Sequence, residues 1–409
     1  MMEVSYSNGN ESESIFSHNE TSTMGDALSN NSESEEAFNL QLLMNDYSLT
    51  AYGYISPILA VINVITNSLV CIVLLRQNMR SPTNTILLFM ALSDMLTGVV
   101  PVPAFVHFYT LGHYEDWVPY NWCFAYNAIT EHIPTMFHTA SIWLTMALAF
   151  QRYVYVCHSL KAKQWCTIPN VLKSVLVIYI ISVLCEVHRF FEHTYIKTTA
   201  KSMVDPARNI VSCVMNNSEW VTSHINLYYN SYYWFRVVFI HFIPCTSLVV
   251  FNLLLMVAMF NAQQRRKQLL KQNRRSECRK LKESNCTTLM LVAVVFIFLV
   301  VELPLGILFI IFIIQTSLGI NIIDNNVQSV ASLFINIAIL FSYPINFFIY
   351  CAMSRQFRET FKRLFIPGAA PLDREHSQYI SLATQNGTRT LQPTTPTVNN
   401  DHTTKTTNI

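Results

Sequence analysis

Glycine is scarce in this chain, 9 residues in 409, and charge is thin, with 13% of residues Asp, Glu, Lys or Arg. The first 50 residues contain no Lys or Arg at all. Several chemistries leave no trace: there is no Gly-x-x-x-x-Gly-Lys phosphate loop, no His-Glu-x-x-His and no Gly-x-Ser-x-Gly. Cys-x-x-Cys is absent and the 12 His are dispersed, so nothing suggests a metal site. Few glycines and no similarity between halves argue against a transporter built from broken helices and repeats. A channel or transporter stays open as a reading, and nucleic-acid binding is not expected.

Hydrophobic residues make up 51% of the chain, concentrated in apolar runs over about 51–75, 85–109, 125–156, 171–190, 229–260, 287–315 and 327–351. About 20 apolar residues at 1.5 Å rise cross a hydrocarbon core as a helix with its backbone bonds satisfied internally. The expected fold is therefore an all-α membrane protein, a seven-transmembrane bundle over 51–353. An odd number of spans places the termini on opposite sides. Arg76 and Arg80 follow the first span and nine basic residues crowd 265–282, so the amino terminus is expected outside and the carboxy terminus in the cytoplasm. No basic start with an apolar core precedes residue 45, so the first span is expected to act as signal anchor. The basic loop also suits contact with anionic lipid.

Residues 1–50 form an acidic leader rich in Ser and Asn, expected to be disordered and glycosylated at Asn10, Asn19 and Asn30. Asn216 offers a further sequon in the second outer loop. Residues 366–409, rich in Thr, are expected to be a disordered tail whose phosphorylation would serve arrestin. Topology sorts the 10 cysteines: eight fall in spans or on the reducing side. Cys123 and Cys213 are left as a disulfide pair.

Polar groups within spans are costly and mark function. Asn67, Asp94, Ser141, Ser342 and Asn346 fall at comparable depth and are expected to form a hydrated site. No cofactor is otherwise implied; Na⁺ is the ion such oxygen ligands suit. Glu302 stands two residues before Pro304, whose missing N–H kinks the sixth span. Candidate ligand contacts are Phe105, His107 and Tyr109 on span two, Glu131, His132 and Thr135 on span three, and Arg189 atop span four. Tyr232, Tyr233 and Arg236 on span five, Phe309 and Gln315 on span six, and Gln328 on span seven complete the set. For each Tyr or Trp taken alone, a place in the interfacial belt is expected ahead of ligand contact.

Gln151-Arg152-Tyr153 at the inner end of span three resembles the Asp-Arg-Tyr motif of rhodopsin-like G-protein-coupled receptors. Asn67, Leu-x-x-Asp94, Cys123, Pro244, Pro304 and Asn346-Phe-Phe-Ile-Tyr350 fall in the same order, and 354–365 resembles their amphipathic eighth helix. Gln151-Arg-Tyr-Val-Tyr-Val-Cys-His158, Trp165-Cys-Thr, Tyr232-Tyr-x-Phe-Arg236-Val, Asn285-Cys-Thr-Thr-Leu-Met290 and Tyr343-Pro-Ile-Asn-Phe are similar to the sex-peptide and myoinhibitory-peptide receptors of invertebrates. That resemblance, over about 50–365, implies a plasma-membrane receptor for a short amidated peptide with spaced Trp residues, acting through an inhibitory-type heterotrimeric G protein. A related myosuppressin or FMRFamide type of receptor is the runner-up. Gln151, Glu302, Asn252 and Phe347 depart from the broader pattern. Arg152 is expected to be held by Glu283 at rest and released to the G protein when span six swings.

Overall fold

The computed structural model describes residues 37–271, 275–318, 320 and 322–366. Among the described residues, seven helices are long and apolar enough to cross a membrane. They are α1 (Ser48–Leu74), α2 (Pro82–Thr110), α3 (Tyr120–Cys157), α4 (Ile168–Phe191), α5 (Ile225–Gln264), α6 (Arg275–Leu318) and α7 (Asn325–Met353). Between α4 and α5 lie two antiparallel strands, β1 (His193–Lys201) and β2 (Asn209–Asn217). A final helix, α8 (Arg355–Phe365), follows α7. The chain divides after Phe361 into two units, and of the second only Lys362–Ile366 is described.

α3 is the axis of the bundle: it packs on α2, α4 and α5, and 61% of its apolar window is buried against 17% for α4 at the edge. α6 packs between α5 and α7, and α7 closes the ring on α1. Prolines start α2 and α4 where their missing N–H costs nothing, and Ser81 Oγ caps α2 by accepting from Asn84 N. Pro304 inside α6 leaves the carbonyl of Val300 without its helical donor. π-helical turns interrupt α1 at Ala51–Ile55, α2 at Val106–Thr110, α3 at Ala128–His132 and α5 at Arg236–Phe242. Each sits in the half of its helix nearer the hairpin and carries an extra residue per turn, which turns adjacent side chains inward together.

The Cys123–Cys213 disulfide joins the start of α3 to β2, with the two Cα atoms 6.5 Å apart. The sequence pairing is therefore met. The hairpin itself was not foreseen, and neither was the strap that precedes α1. Disorder was expected through residue 50; residues 1–36 lie outside the described residues, but 37–47 are built into the end of the bundle. Phe38 N donates to Cys213 O at 2.7 Å, and Phe38 O accepts from Val118 N at 3.0 Å. Phe38 and Leu40 are buried in one apolar cluster with Tyr52, Phe105, Phe108, Tyr109 and Tyr126. The apolar stretch Ala37-Phe-Asn-Leu-Gln-Leu-Leu43 supplies the side chains that this segment buries.

Candidate functional site

Asp94 anchors the polar centre of the bundle. It is 2% exposed on α2; Ser141 Oγ of α3 donates to its Oδ1 at 2.5 Å and Asn346 Nδ2 of α7 to its Oδ2 at 3.3 Å. These groups line a cavity with Ser342, His138 and Glu302 that admits a water-sized sphere. Ser342 Oγ itself donates to Ile339 O at 2.7 Å. Asn67 does not join the site: its amide turns to Asn63 O at 3.2 Å, and Asn63 Nδ2 donates to the Asp94 carbonyl at 2.7 Å. Asn63 thus takes up the Asn67 amide, because positions four apart on α1 face the same way. Oxygen atoms of Asp94, Ser141 and Ser342 are the groups here that suit Na⁺.

Glu302, also 2% exposed, lies between two histidines. Its Oε1 is 3.2 Å from His138 Nε2 on α3, and its Oε2 is 3.6 Å from His241 Nδ1 on α5. His138 Nδ1 meets the Tyr343 hydroxyl of α7 at 2.9 Å. Neither histidine was singled out from sequence, and Tyr343 entered there only at the head of the Tyr343-Pro-Ile-Asn-Phe motif. His138 stands one helical turn before Ser141 and His241 one turn before Pro244, so depth within a span was the signal that dispersed counting overlooked.

Nearer the disulfide, Arg189 Nη1 lies 2.8 Å from Glu131 Oε1, and its Nε donates to Glu192 Oε2 at 3.1 Å. Arg189 and Arg236 both stand over the Tyr232 ring, at 5.0 and 5.6 Å, and Arg236 Nη1 donates to Tyr232 Oη at 2.8 Å. Arg236 also covers Phe309 at 4.8 Å, while Tyr233 stacks on Phe309 at 6.4 Å. His132 is buried and meets Phe190 edge-on at 5.0 Å. Just beyond α4, burial outweighs the pull of Glu192 and pushes the His193 imidazole below its ordinary range, so it is neutral at pH 7.

Phe105 lines a second cavity, between α1, α2, α3 and α7, and Tyr109 Oη hydrogen-bonds Tyr126 Oη at 2.8 Å. Four candidates stand elsewhere. His107 stacks between His113 and Trp122, at 4.4 and 5.0 Å, on the rim of the bundle. Gln315 Nε2 donates to Ile323 O at 3.0 Å and so ties down the α6–α7 connection. Thr135 spends its hydroxyl on its own helix, donating to Glu131 O at 2.7 Å. Gln328, half-buried, opens α7. Asn216 sits within β2 opposite Thr194, on a strand and not at a loop tip.

At the opposite end Gln151 is buried with neither side-chain oxygen nor nitrogen hydrogen-bonded, and Arg152 Nε is buried without a partner. Among the described residues Arg152 makes no ion pair; the Glu283 side chain lies outside the described residues. Tyr153 packs on Phe251 at 5.8 Å, and Tyr350 on Phe357 at 5.8 Å.

Seven spans around a polar core, with a disulfide tying α3 to the following hairpin, define a heptahelical receptor bundle. The sequence profile of the serpentine type 7TM GPCR chemoreceptors, Srw class, matches residues 54–368. The chain therefore belongs to the seven-transmembrane G-protein-coupled receptors, a family of receptors and not of enzymes. It is 44% identical over 356 residues to the sex peptide receptor of Drosophila melanogaster, covering 86% of this chain and 80% of that protein. It is 34% identical over 343 residues to the sex peptide receptor-related protein 2 of Caenorhabditis elegans, covering 81% and 75%. The FMRFamide receptor of Drosophila melanogaster is 26% identical over 367 residues, covering 87% and 61%.

Proposed function

We propose that this chain is a plasma-membrane receptor for a neuropeptide, an amidated Trp-containing ligand of the myoinhibitory or sex-peptide type, signalling through an inhibitory G protein. The observation that carries the reading is the 44% identity to a sex peptide receptor along most of both chains. The outer end supports it chemically. Two arginines and the aromatic rings of Tyr232, Tyr233 and Phe309 converge there, a set that suits indole faces and a neutral amide.

With the amino terminus outside, the disulfide end faces the ligand and Arg152 faces the G protein. The basic segment 265–282 would meet anionic lipid and the G protein, and the tail beyond residue 366 would recruit arrestin when phosphorylated. Na⁺ at Asp94 would favour the resting packing. The test is a panel of amidated peptides applied to cells expressing the chain, with cyclic AMP and membrane current both recorded. A Trp-containing peptide that lowers cyclic AMP without current supports the reading. Response only to Arg-Phe-amide peptides would favour the FMRFamide type suggested by the more distant relative, and current without a nucleotide response would favour a channel.

A further inference from the structure

The strap before α1 closes the disulfide end of the bundle on one side. Phe38 and Leu40 are buried among the rings of Tyr52, Phe105, Tyr109 and Tyr126. Phe38 meets Tyr126 edge-on at 6.0 Å, and Tyr109, tied to Tyr126 through their hydroxyls, lies 5.6 Å from Tyr52 and 6.1 Å from Phe105. Tyr52 and Phe105 stand 5.1 Å apart, and both line the cavity between α1, α2, α3 and α7. They do so one and two helical turns nearer the disulfide than Ser56 and Gly98, which line it deeper in. The rings are therefore the outer wall of that cavity, and the strap lies on the rings.

The cavity itself is suited to an apolar group. Thr97 Oγ1 donates to Ser93 O at 2.9 Å and Thr130 Oγ1 to Tyr126 O at 2.7 Å, so both hydroxyls are spent on their own helices. What they leave to the cavity is methyl surface, beside Pro101, Pro134 and Leu340. In this packing its volume is about 40 Å³, well short of the roughly 150 Å³ that holds a benzene ring. Space must come from the outer wall. Among the described residues the strap is joined to its neighbours by two backbone hydrogen bonds, both at Phe38, and by the Asn39 amide, which donates to Met203 Sδ at 3.1 Å. A thioether is a weak acceptor, and a segment held by so few bonds opens more readily than the helices beneath it. Lifting Phe38 and Leu40 frees Tyr52 and Phe105 to turn outward and opens the cavity to the disulfide end.

We propose that the strap, residues 37–44, is a lid over the cavity between α1, α2, α3 and α7, and that this cavity takes an aromatic side chain of the ligand once the lid lifts. Phe38 and Leu40 are positioning residues for the wall and need not touch the ligand. The lid rests on the receptor reading for its outward placement and not on which peptide is bound.

The test is the rate at which the trimethylammonioethyl methanethiosulfonate cation, which does not cross membranes, labels a thiol introduced by Ser56→Cys in the full chain on intact cells, read site by site by mass spectrometry. Labelling is expected to be slow in Ser56→Cys alone and about tenfold faster when Phe38→Ala is added. N-acetyltryptophanamide should slow the faster reaction severalfold, and N-acetylglycinamide should not. The native Cys245, buried on α5, should stay unlabelled throughout. Equal rates with and without Phe38→Ala, or parallel labelling of Cys245 from general loosening, would overturn the lid; acceleration without protection by the indole compound would overturn the aromatic occupant. If Phe38→Ala fails to reach the surface, Leu40→Ala takes its place with the same expected and opposing results. No peptide is added, so a wrong ligand assignment leaves the result standing, and acceleration seen only in permeabilised cells would overturn the outward placement of the amino terminus while supporting the lid.

Discussion

Glu131 and Arg189 meet at 2.8 Å inside the bundle, and the same guanidinium reaches Glu192 at 3.1 Å, so one side chain ties α3 and the end of α4 to the root of the hairpin. All three side chains are less than a tenth exposed. Removing one partner of a buried pair leaves the other unmatched, at a cost of about 3–5 kcal/mol, whereas replacing both by apolar residues is far milder. Glu131→Ala should therefore lower the thermal midpoint of the solubilised receptor and its surface expression. Because Arg189 also serves Glu192, the triple variant Glu131→Leu, Arg189→Met, Glu192→Leu is the one that should recover much of the loss. Additive losses across the three would show that the buried ion pairs contribute nothing as pairs.

Asp94 receives hydrogen bonds from Ser141 and Asn346 and faces a cavity of water size. If Na⁺ occupies that cavity in the resting packing, agonist affinity should fall severalfold in NaCl relative to choline chloride, and Asp94→Asn should abolish the difference. Competition binding in the two salts measures it. Affinity indifferent to the cation in the parent would remove the ion and leave Asp94 as a structural hub.

Beyond the membrane-spanning segments, Asp116 joins the loop between α2 and α3 to the turn of the hairpin. Burial pushes its carboxyl up, but Ser202 Oγ, donating at 2.5 Å, the Met203 and Trp117 amides at 3.0 and 2.9 Å, and the charge of Arg208 hold it below the usual carboxylate range. A carboxylate with a depressed folded value stabilises fully above its unfolded pKa, near 3.9, and that contribution is lost as pH falls through the folded value. Protection of the Met203 amide in hydrogen exchange should thus be constant from pH 8 to about 5 and fall below about pH 4. In Asp116→Asn it should be weaker throughout and lose the acid step.

The spans and the disulfide were legible because both obey one-dimensional rules: length of an apolar run, and which cysteines share the oxidising side. The strap and hairpin were not. Phe38 pairs with Val118 and Cys213, partners far apart in the chain that no local pattern announces, and a short apolar stretch at the end of a polar leader is diluted by its neighbours. The site was half legible. Asp94, Ser141 and Asn346 share a depth and do meet, while Asn67 shares the depth but faces Asn63. Helical period also misleads where a π turn intervenes. Thr130, Glu131 and His132 are all buried because the turn at Ala128–His132 carries an extra residue, and the turn at Arg236–Phe242 likewise buries both Ile240 and His241. The Tyr343, His138, Glu302 and His241 chain needs four helices in register before any two of its members are neighbours.

The proposed coupling to a G protein rests most heavily on Arg152. Its neighbour Gln151 is buried and offers no counter-charge, neither of its polar side-chain atoms is hydrogen-bonded, and Arg152 Nε is unpaired too. A guanidinium in that setting is held by packing and by whatever α6 presents, and it is free to seek carbonyl oxygens of a docking helix once α6 moves. Two opposite effects follow. Arg152→Ala should strongly reduce or abolish G-protein activation while peptide binding at the far end of α3 stays measurable. Gln151→Asp supplies the missing local charge beside the buried Arg152 Nε and should lower basal activity severalfold. Basal and peptide-evoked inhibition of cyclic AMP at matched surface expression decides both. Full signalling by Arg152→Ala would remove this arginine from the mechanism, and raised basal activity in Gln151→Asp would mean that Gln151 restrains the receptor by some means other than its lack of charge.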